Sequence, residues 1–162
     1  MFISNNANAV AVLVTYTRLD NKPSATAAPG RFVSSIYVDP ANPNHAWISY
    51  SSYSALTPSK RGHVFEVTYN PATSDATWSS LDGGSGPIGD LPVTDLVRDD
   101  VTGDLYAATD FGVARLPNGT STWIAAGSGL PMVEVIGLTI VPSARVLYAA
   151  THGRSAWQLT LP

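Results

Sequence analysis

Cysteine is absent from all 162 residues of the chain. No disulfide, thiolate nucleophile or cysteine-based zinc site is therefore available. Charged residues are also scarce, at 13% of the chain, whereas hydrophobic residues make up 44%. This balance excludes a disordered tail and a charged helical bundle, and it predicts a folded domain large enough to bury a core of its own.

Clusters of basic residues and long apolar runs are absent as well. The net charge is −3, and without a basic patch the chain lacks the electrostatic footprint of a protein that binds nucleic acid. The apolar run Val10–Val14 is far too short to span a membrane. Residues 1–6 lack the basic start and apolar stretch of a signal peptide. No signal peptide is therefore predicted in this chain, and an extracytoplasmic location stays open.

The chain does contain an internal repeat. The pentapeptide Leu-Tyr-Ala-Ala-Thr occurs at 105–109 and again at 147–151, with an offset of 42 residues. Two further pairs keep a similar spacing: Leu91-Pro92 with Leu130-Pro131, 39 residues apart, and Trp78 with Trp123, 45 residues apart. A period of about 40–45 residues built from short strands is typical of a β-propeller blade.

Apolar alternation and turn residues predict short strands throughout and no amphipathic helix. The predicted strands are 33–38, 46–51, 63–69, 76–79, 94–98, 105–109, 112–116, 122–125, 135–141, 146–151 and 155–161. The fold class is therefore predicted as all-β, a partial β-propeller of about three four-stranded blades. Their ranges are 32–92, 93–131 and 132–162.

The third predicted blade has only three strands. Residues 1–31 are predicted as an N-terminal strand, 10–17, buried in a sheet, followed by a loop. Propellers have about 4–8 blades, so three blades do not close a ring. We expect closure either by self-association, most simply as a dimer, or by further blades of a longer chain. Residues 10–17 are the candidate for the missing fourth strand of the third blade.

Two segments look like degraded Asp-box turns, whose family pattern is Ser-x-Asp-x-Gly-x-Thr-Trp. They are Thr73–Trp78 and Asn118–Trp123, and both keep the Thr-Trp pair while losing the Asp and Gly positions. The segments Tyr37–Trp47 and Leu147–Arg154 add to the likeness. Over residues 32–162 the chain thus resembles the bacterial BNR/Asp-box propellers of sialidase-like and sortilin-like proteins.

That resemblance implies a secreted parent protein, extracellular or periplasmic, with a role in carbohydrate chemistry. The family includes sialidases, xyloglucan-active glycosidases and sortilin-type receptors, and in it the Asp-boxes are structural turns remote from the substrate. The arginine triad of sialidases has no recognisable counterpart among the seven arginines of this chain. Sialidase activity is therefore not expected.

Three side chains are candidates for catalysis. Glycoside hydrolysis uses two carboxyl groups roughly 5–10 Å apart, and Asp95, on a first strand that would line the channel, and Asp110, heading an Asp-Phe-Gly turn, could supply them. His152 occupies the turn that corresponds to Asp110 and could act as a general base or metal ligand. The structural alternative for each is a turn residue or a partner of neighbouring backbone.

Three aromatic residues are candidates for substrate binding. Trp47, Tyr50 and Tyr53 lie on and just after a predicted second strand, where flat rings could stack on a sugar. Packing between blades is the alternative for Trp47 and Tyr50, whereas Tyr53 falls in a loop and is expected to be exposed.

Metal binding is left open by the sequence. Asp99, Asp100 and Asp104 surround a predicted turn, but their spacing does not match the helix-loop calcium pattern. Calcium held at the channel mouth by residues of several blades is the one cofactor considered.

Two functions follow as hypotheses. The first is a hydrolase that acts on a glycoside or a lactone-type small molecule at the channel mouth, in the latter case with calcium. The second is a non-catalytic module that binds a glycan or a protein. A scaffold piece without activity of its own is a third hypothesis.

Overall fold

The chain is all-β, as the strand pattern predicts. The structure, a computed structural model, describes residues 1–82 and 86–162, so part of the predicted loop 81–92 lies outside the described residues. The strands are β1 (Phe2–Ile3), β2 (Thr17–Arg18), β3 (Val33–Val38), β4 (His45–Tyr50), β5 (Val64–Asn70), β6 (Asp75–Ser80), β7 (Val93–Arg98), β8 (Leu105–Thr109), β9 (Gly112–Leu116), β10 (Ile124–Ala125), β11 (Val135–Val141), β12 (Val146–Thr151) and β13 (Ala156–Thr160). Short 3-10 helices lie in connections, at Ala11–Leu13, Ser54–Leu56 and Pro142–Ala144, and no α-helix occurs in the described ranges.

The strands form four antiparallel sheets. β1 pairs with β2, and we call this the N-terminal strand pair. β3–β6 form the first blade, β7–β10 the second and β11–β13 the third, each with strands in chain order. The prediction of a partial β-propeller is therefore confirmed.

A β-bulge recurs in the innermost strand of every blade. The pairing register shifts around Ser34 in β3, Thr94 in β7 and Ile136 in β11. A bulge re-aims a side chain out of the regular pleat. The Ser34 hydroxyl donates to the Val93 carbonyl at 2.5 Å, and the Thr94 hydroxyl donates to the Val135 carbonyl at 2.5 Å. The bulge residue of one blade thus holds the innermost strand of the next.

An aromatic ring occupies the same position in the second strand of every blade. Trp47, Tyr106 and Tyr148 occupy corresponding positions, because each pairs with the fifth residue of its innermost strand. Trp47 and Tyr106 are buried between blades, at 7% and 0% exposure, whereas Tyr148, which no blade follows, is 42% exposed. The hydrophobic core accordingly lies between the sheets rather than within one of them.

The N-terminal strand pair has the geometry of the outer half of another blade. In both complete blades, the residue just after the fourth strand donates its N–H to a carbonyl at the start of the third strand. These bonds are Leu81 to Val64 and Ala126 to Val113, both at 2.9 Å, and Leu19 to Met1 repeats them at 3.0 Å. β1 and β2 therefore correspond to third and fourth strands, packed ahead of the first blade.

The prediction of one buried strand over residues 10–17 is wrong. Only Thr17–Arg18 pairs in a sheet, and Val12 is 90% exposed. The side chain of Asn6 accepts the N–H of Thr15 at 2.9 Å, which closes a loop between β1 and β2. The apolar residues of this segment lie in that connection, where no neighbouring sheet is available to bury them.

The three blades form an open arc. β13 pairs with β12 alone among the described strands, so residues 10–17 do not supply a fourth strand to the third blade of this chain. Ile36 and Val38 are 46% and 52% exposed at one end of the arc, and Ile136 is 56% exposed at the other. Each end thus presents an apolar face.

An ion pair between a buried carboxylate and a partly exposed guanidinium joins the second and third blades. Both oxygens of Asp99 accept from the guanidinium of Arg145, each at 2.6 Å, and the Asp99 side chain is only 1% exposed. This bidentate pairing lowers the pKa of Asp99 to about 2. Arg145 also donates to the carbonyl of Pro162 at 2.6 Å, which ties the end of the third blade to the same site.

Removal of the bulge hydroxyl should loosen the junction of the second and third blades. Thr94→Val keeps the shape of the side chain but leaves the Val135 carbonyl without its donor, so we expect a loss of about 1 kcal/mol in the free energy of unfolding. Urea denaturation measures it. Thr122→Val, at an exposed position, is the matched control, and an equal loss in both variants would contradict the role of the bulge.

The Asp99–Arg145 pair should make stability depend on acid pH. The pKa of Asp99 is depressed in the folded state, so its contribution is complete above the unfolded value of about 4 and is lost as pH falls toward about 2. The expected loss is about 2 kcal/mol, measured as the free energy of unfolding across this range. Asp99→Asn should flatten the dependence, and Asp100→Asn, which alters a half-exposed carboxylate, should not.

Candidate functional site

One face of the arc gathers the candidate residues. In a four-stranded meander, the connections after the second and the fourth strand emerge on the same side. We call this side the loop face. Its described segments are 51–63, 110–111 and 152–155, which follow second strands, together with 81–82, 86–92 and 126–134, which lie between consecutive blades.

Two residues predicted for the site meet on the loop face. The Tyr53 hydroxyl donates to the Asp110 carboxylate at 3.2 Å, so the first blade contacts the second through these side chains. The hydrogen bond that the Tyr53 hydroxyl donates to Asp110 is the main reason why the pKa of Tyr53 is raised. The Tyr53 ring stays 50% exposed and is open to a ligand.

A cavity of about 280 Å³, lined by both polar and apolar side chains, lies next to Tyr53. Its lining residues are Ser54, Ala55, Pro58, Arg61 and Asp90. The backbone N–H of Ser54 donates to Asp90 at 2.7 Å, and this bond is the main cause that lowers the pKa of Asp90. Asp90 is therefore an ionised carboxylate at the cavity wall, half exposed to solvent.

A buried histidine stands behind the cavity. His63 is fully buried, and its backbone N–H donates to the Asp82 carboxylate at 2.8 Å. Its Nε2 lies 3.4 Å from the Asp90 carboxylate and 3.3 Å from a guanidinium nitrogen of Arg31. Arg31 also donates to the Ser52 carbonyl at 2.7 Å. These contacts fix the long loop that carries Tyr53 onto the body of the first blade.

A second exposed ring flanks Asp110. Phe111 is 56% exposed and lies at the rim of a mostly apolar cavity of about 460 Å³. Besides Phe111, that cavity is lined by Pro87, Thr109, Gly112, Val113, Ala114, Ala125, Gly127, Leu130, Pro131 and Met132. Asp110 is thus hydrogen-bonded to an exposed tyrosine of the first blade and directly precedes an exposed phenylalanine of the second.

Asp95 is engaged by backbone. One carboxylate oxygen accepts the N–H of Leu96 and the other accepts the N–H of Leu138 in the third blade, both at 2.8 Å. Within residues 1–82 and 86–162, no hydrogen bond or ion pair joins Asp95 to Asp110 or His152. The structure gives Asp95 a role in the contact between blades, and its predicted catalytic role stays a prediction.

His152 lies on the third blade, apart from this pair. Its Nδ1 is 2.9 Å from the carboxylate of Glu134, its backbone N–H donates to the Glu134 carbonyl at 2.8 Å, and the side chain is 76% exposed. His152 therefore corresponds to Asp110 in the repeat but has a different, local partner.

The predicted platform of three aromatic rings needs correction. Tyr50 is 2% exposed, with its ring edge-on to Phe65 at 5.5 Å. Trp47 is 7% exposed, and the guanidinium of Arg98 stacks over it at 4.9 Å. Both rings belong to the core because they lie on a strand that is covered on both faces. Of the three, Tyr53 alone is exposed to a ligand.

Several residues of the site are missed by sequence reasoning. Asp90 falls in a Gly/Pro loop without periodicity, and its contact with Ser54 exists only in the folded chain. His63 begins a strand and gives no local sign of its carboxylate neighbours. Phe111 had a usable signal, since a large apolar side chain in a two-residue turn has nowhere to be buried.

The carboxylates considered for calcium face arginines instead. The ion pairs are Asp99–Arg145 and Asp104–Arg115 at 2.6 Å and Asp100–Arg98 at 2.7 Å. No group of three or more His, Asp or Glu side chains suited to a metal ion gathers among the described residues. These three carboxylates are thus occupied by guanidinium groups, and calcium at a channel mouth stays a prediction. In the same ranges, no helix has the length and apolar character needed to cross a bilayer.

Comparison with known proteins supports the fold. No protein-family model matches the chain, and no curated protein matches its sequence. Among solved structures it is similar to PorZ, described as an essential bacterial surface component of the type-IX secretion system of Porphyromonas gingivalis, with a TM-score of 0.68 and 19% identity. That match covers 98% of this chain and 22% of the PorZ chain. At this identity the likeness shows the propeller-like fold alone.

Two further similarities are weaker. The extracellular domain of BT4673 from B. thetaiotaomicron aligns with a TM-score of 0.49 and 18% identity, over 80% of this chain and 14% of that one. A Bacteroides uniformis protein described as a 6-phosphogluconolactonase aligns with a TM-score of 0.48 and 11% identity, over 89% and 41%. The comparisons leave membership of the BNR/Asp-box family an interpretation.

Asp95→Ala should lower stability, because it strips the Leu138 N–H of its acceptor at the junction of two blades. We expect a loss of about 1–3 kcal/mol in the free energy of unfolding, measured by thermal and urea denaturation. Asp110→Ala, which removes a carboxylate bonded only to an exposed tyrosine, is the control and should change stability by less. An unchanged melting temperature in Asp95→Ala would show that Asp95 does not stabilise the contact between blades, and its predicted functional role would then be the better explanation.

Proposed function

We propose that this chain is a binding module that recognises a glycan on its loop face, where the first and second blades meet. The observation that carries the proposal is the arrangement of Tyr53, Asp110 and Phe111. Two rings, each about half exposed, come from adjacent blades, and the carboxylate bonded to Tyr53 belongs to the residue that directly precedes Phe111.

The chemistry of these groups suits a sugar. The rings offer flat apolar surfaces to the C–H faces of a pyranose. The carboxylates of Asp110 and Asp90 accept hydrogen bonds from hydroxyl groups, and the guanidinium of Arg61 donates them. A concave site with apolar walls and a few fixed polar groups is typical of small-ligand sites.

The ionised state of the Asp90 carboxyl group favours a role in binding over a role as a catalytic acid. A glycosidase needs one carboxyl group that is protonated when it meets the leaving oxygen. The pKa of Asp90 is instead held below its ordinary value, mainly by the backbone N–H of Ser54. Asp90 thus serves as an acceptor and not as the proton donor of the reaction.

Hydrolysis is the second candidate function, and one observation favours it. The Nε2 of His63 lies 3.4 Å from the Asp90 carboxylate, so Asp90 has a fixed partner on its buried side while its other side faces the cavity. An ionised carboxylate in that position could act as a base toward water that attacks a lactone or a glycoside. Under this hypothesis Asp90→Asn abolishes turnover on a hydrolase substrate panel but leaves glycan affinity within about 3-fold.

We further propose that the parent protein is extracellular or periplasmic. The support is its fold, which it shares with PorZ, described as a bacterial surface component. The chain spans 22% of the PorZ chain, so the activity and partners of a whole protein are proposals. Localisation of an epitope-tagged parent protein by cell fractionation tests this one.

Loss of the Tyr53 ring should abolish most of the glycan affinity. After a glycan array has identified a ligand, isothermal titration should show at least about 10-fold weaker binding for Tyr53→Ala, because aromatic anchors dominate binding energy. Tyr53→Phe keeps the ring and loses the bond to Asp110, so about 3-fold is expected.

Tyr16→Ala is the matched control, since Tyr16 is another exposed tyrosine, at 69%, on the N-terminal loop. Its affinity should equal that of the unchanged chain. An array without hits, or equal losses in Tyr16→Ala and Tyr53→Ala, would rule out this site.

A further inference from the structure

Two tryptophans make the same hydrogen bond between neighbouring sheets. The indole N–H of Trp78 donates to the carbonyl of Leu19 at 3.3 Å, and that of Trp123 donates to the carbonyl of Leu81 at 3.1 Å. Each tryptophan belongs to the outer edge of one blade, and each acceptor directly follows the fourth strand of the sheet ahead. Ala126 is the third residue at this position of the repeat.

The equivalence of Ala126 rests on its backbone. Its N–H bonds to the Val113 carbonyl at 2.9 Å, in the way that the N–H of Leu81 bonds to the Val64 carbonyl at 2.9 Å. Leu19, Leu81 and Ala126 also each follow an aromatic residue by three positions: Tyr16, Trp78 and Trp123. The carbonyl of Ala126 is thus oriented toward the third blade as the other two are toward theirs.

The register identifies the residue that an incoming indole would face. Trp78 pairs with Val67, which in turn pairs with Ala46 on the second strand of its blade. The corresponding pair of the third blade is Leu147 with Leu159. Leu159 is therefore the residue opposite an incoming tryptophan.

Leu159 already lies beside the acceptor. A Cβ built on Gly127, the residue after Ala126, would stand only 2.7 Å from a methyl group of Leu159. The side chain of Leu159 also packs on the hydrophobic cluster between the second and third blades. The Ala126 carbonyl, the Leu159 side chain and the hydrophobic cluster between the second and third blades therefore lie together.

The edge of β13 is open for pairing. The N–H of Leu161 donates inward to the Arg145 carbonyl at 2.8 Å. Because amide groups alternate in direction along a strand, the N–H groups of Gln158 and Thr160 point to the free edge. Both residues are exposed, so an extended segment can add there by strand augmentation.

We propose that the edge of β13, together with the Ala126 carbonyl, is a docking site for an extended strand that carries tryptophan. The indole lies opposite Leu159 and donates its N–H to Ala126. The occupant is of the same type as Asp75–Ser80, because this chain fills the equivalent place with a tryptophan strand twice. The site continues two established interfaces of the same molecule and is independent of the proposed glycan site.

The test uses the full chain and a synthetic peptide of residues 73–82. Isothermal titration should show saturable binding, and amide NMR shifts should concentrate at Ala126 and in β13. A peptide with Trp78→Phe keeps an aromatic ring without the N–H donor and should bind about 3- to 10-fold more weakly. A peptide with Trp78→Ala should not bind measurably.

Variants of the chain test the edge itself. Gln158→Pro removes an outward N–H and should abolish binding, since proline is tolerated on an edge strand but blocks further pairing. Gln158→Thr keeps that N–H and is the matched control. If Gln158→Pro fails to fold, the peptide series decides alone.

The outcomes separate cleanly. Absence of binding at about 1 mM peptide, or equal binding of the Trp78→Ala peptide, overturns the proposal. Self-association of the chain that Gln158→Pro abolishes supports it, with a strand of a second copy as the occupant. If Gln158→Pro leaves self-association intact, the association uses another surface, and the proposal then stands only if the peptide binds at β13. If the peptide does not bind there, the proposal is overturned.

Discussion

Burial of sheet faces between neighbouring blades is the interaction on which the rest of this structure depends. A twisted sheet of three or four strands has two faces, and in this chain both are apolar. Ile48 and Tyr50 face one way from β4 and Trp47 faces the other. Neither face can be buried within its own blade, so each blade is stable only against a neighbour. The bulge hydroxyls and indole bonds then set the angle and register of that contact.

The candidate site inherits its geometry from this contact. Tyr53 and Asp110 belong to different blades and meet because the first and second sheets are packed face to face. Arg31 and the buried His63 fix the loop of Tyr53 from below. A ligand that contacted both Tyr53 and Asp110 would therefore also bridge the two blades. Such a ligand would therefore also raise the free energy of unfolding of the three-blade arc.

The sequence predicts those parts of the fold and of the site that depend on neighbouring residues in the chain, and it does not predict those that depend on tertiary contacts. The strands 105–109 and 147–151 were predictable because a repeated pentapeptide with clear turns is local information. The apolar run within 10–17 predicts a buried strand that the structure does not contain, since its composition says nothing about whether a sheet edge lies nearby. Of the site, Tyr53 was correctly expected in an exposed loop. The sequence does not predict Asp90 as a site residue, because its contact with Ser54 forms only in the folded chain.

A tyrosine at the same position of the repeat differs in exposure between the second and third blades. Tyr106 is fully buried whereas Tyr148 is 42% exposed, although both come from an identical pentapeptide. The difference lies in what packs on them and not in the sequence. The third blade also departs from the others at its bulge, where Ile136 replaces the hydroxyl of Ser34 and Thr94. A sheet packed on this face would therefore meet apolar side chains, without the bulge hydroxyl that joins the blades within the chain.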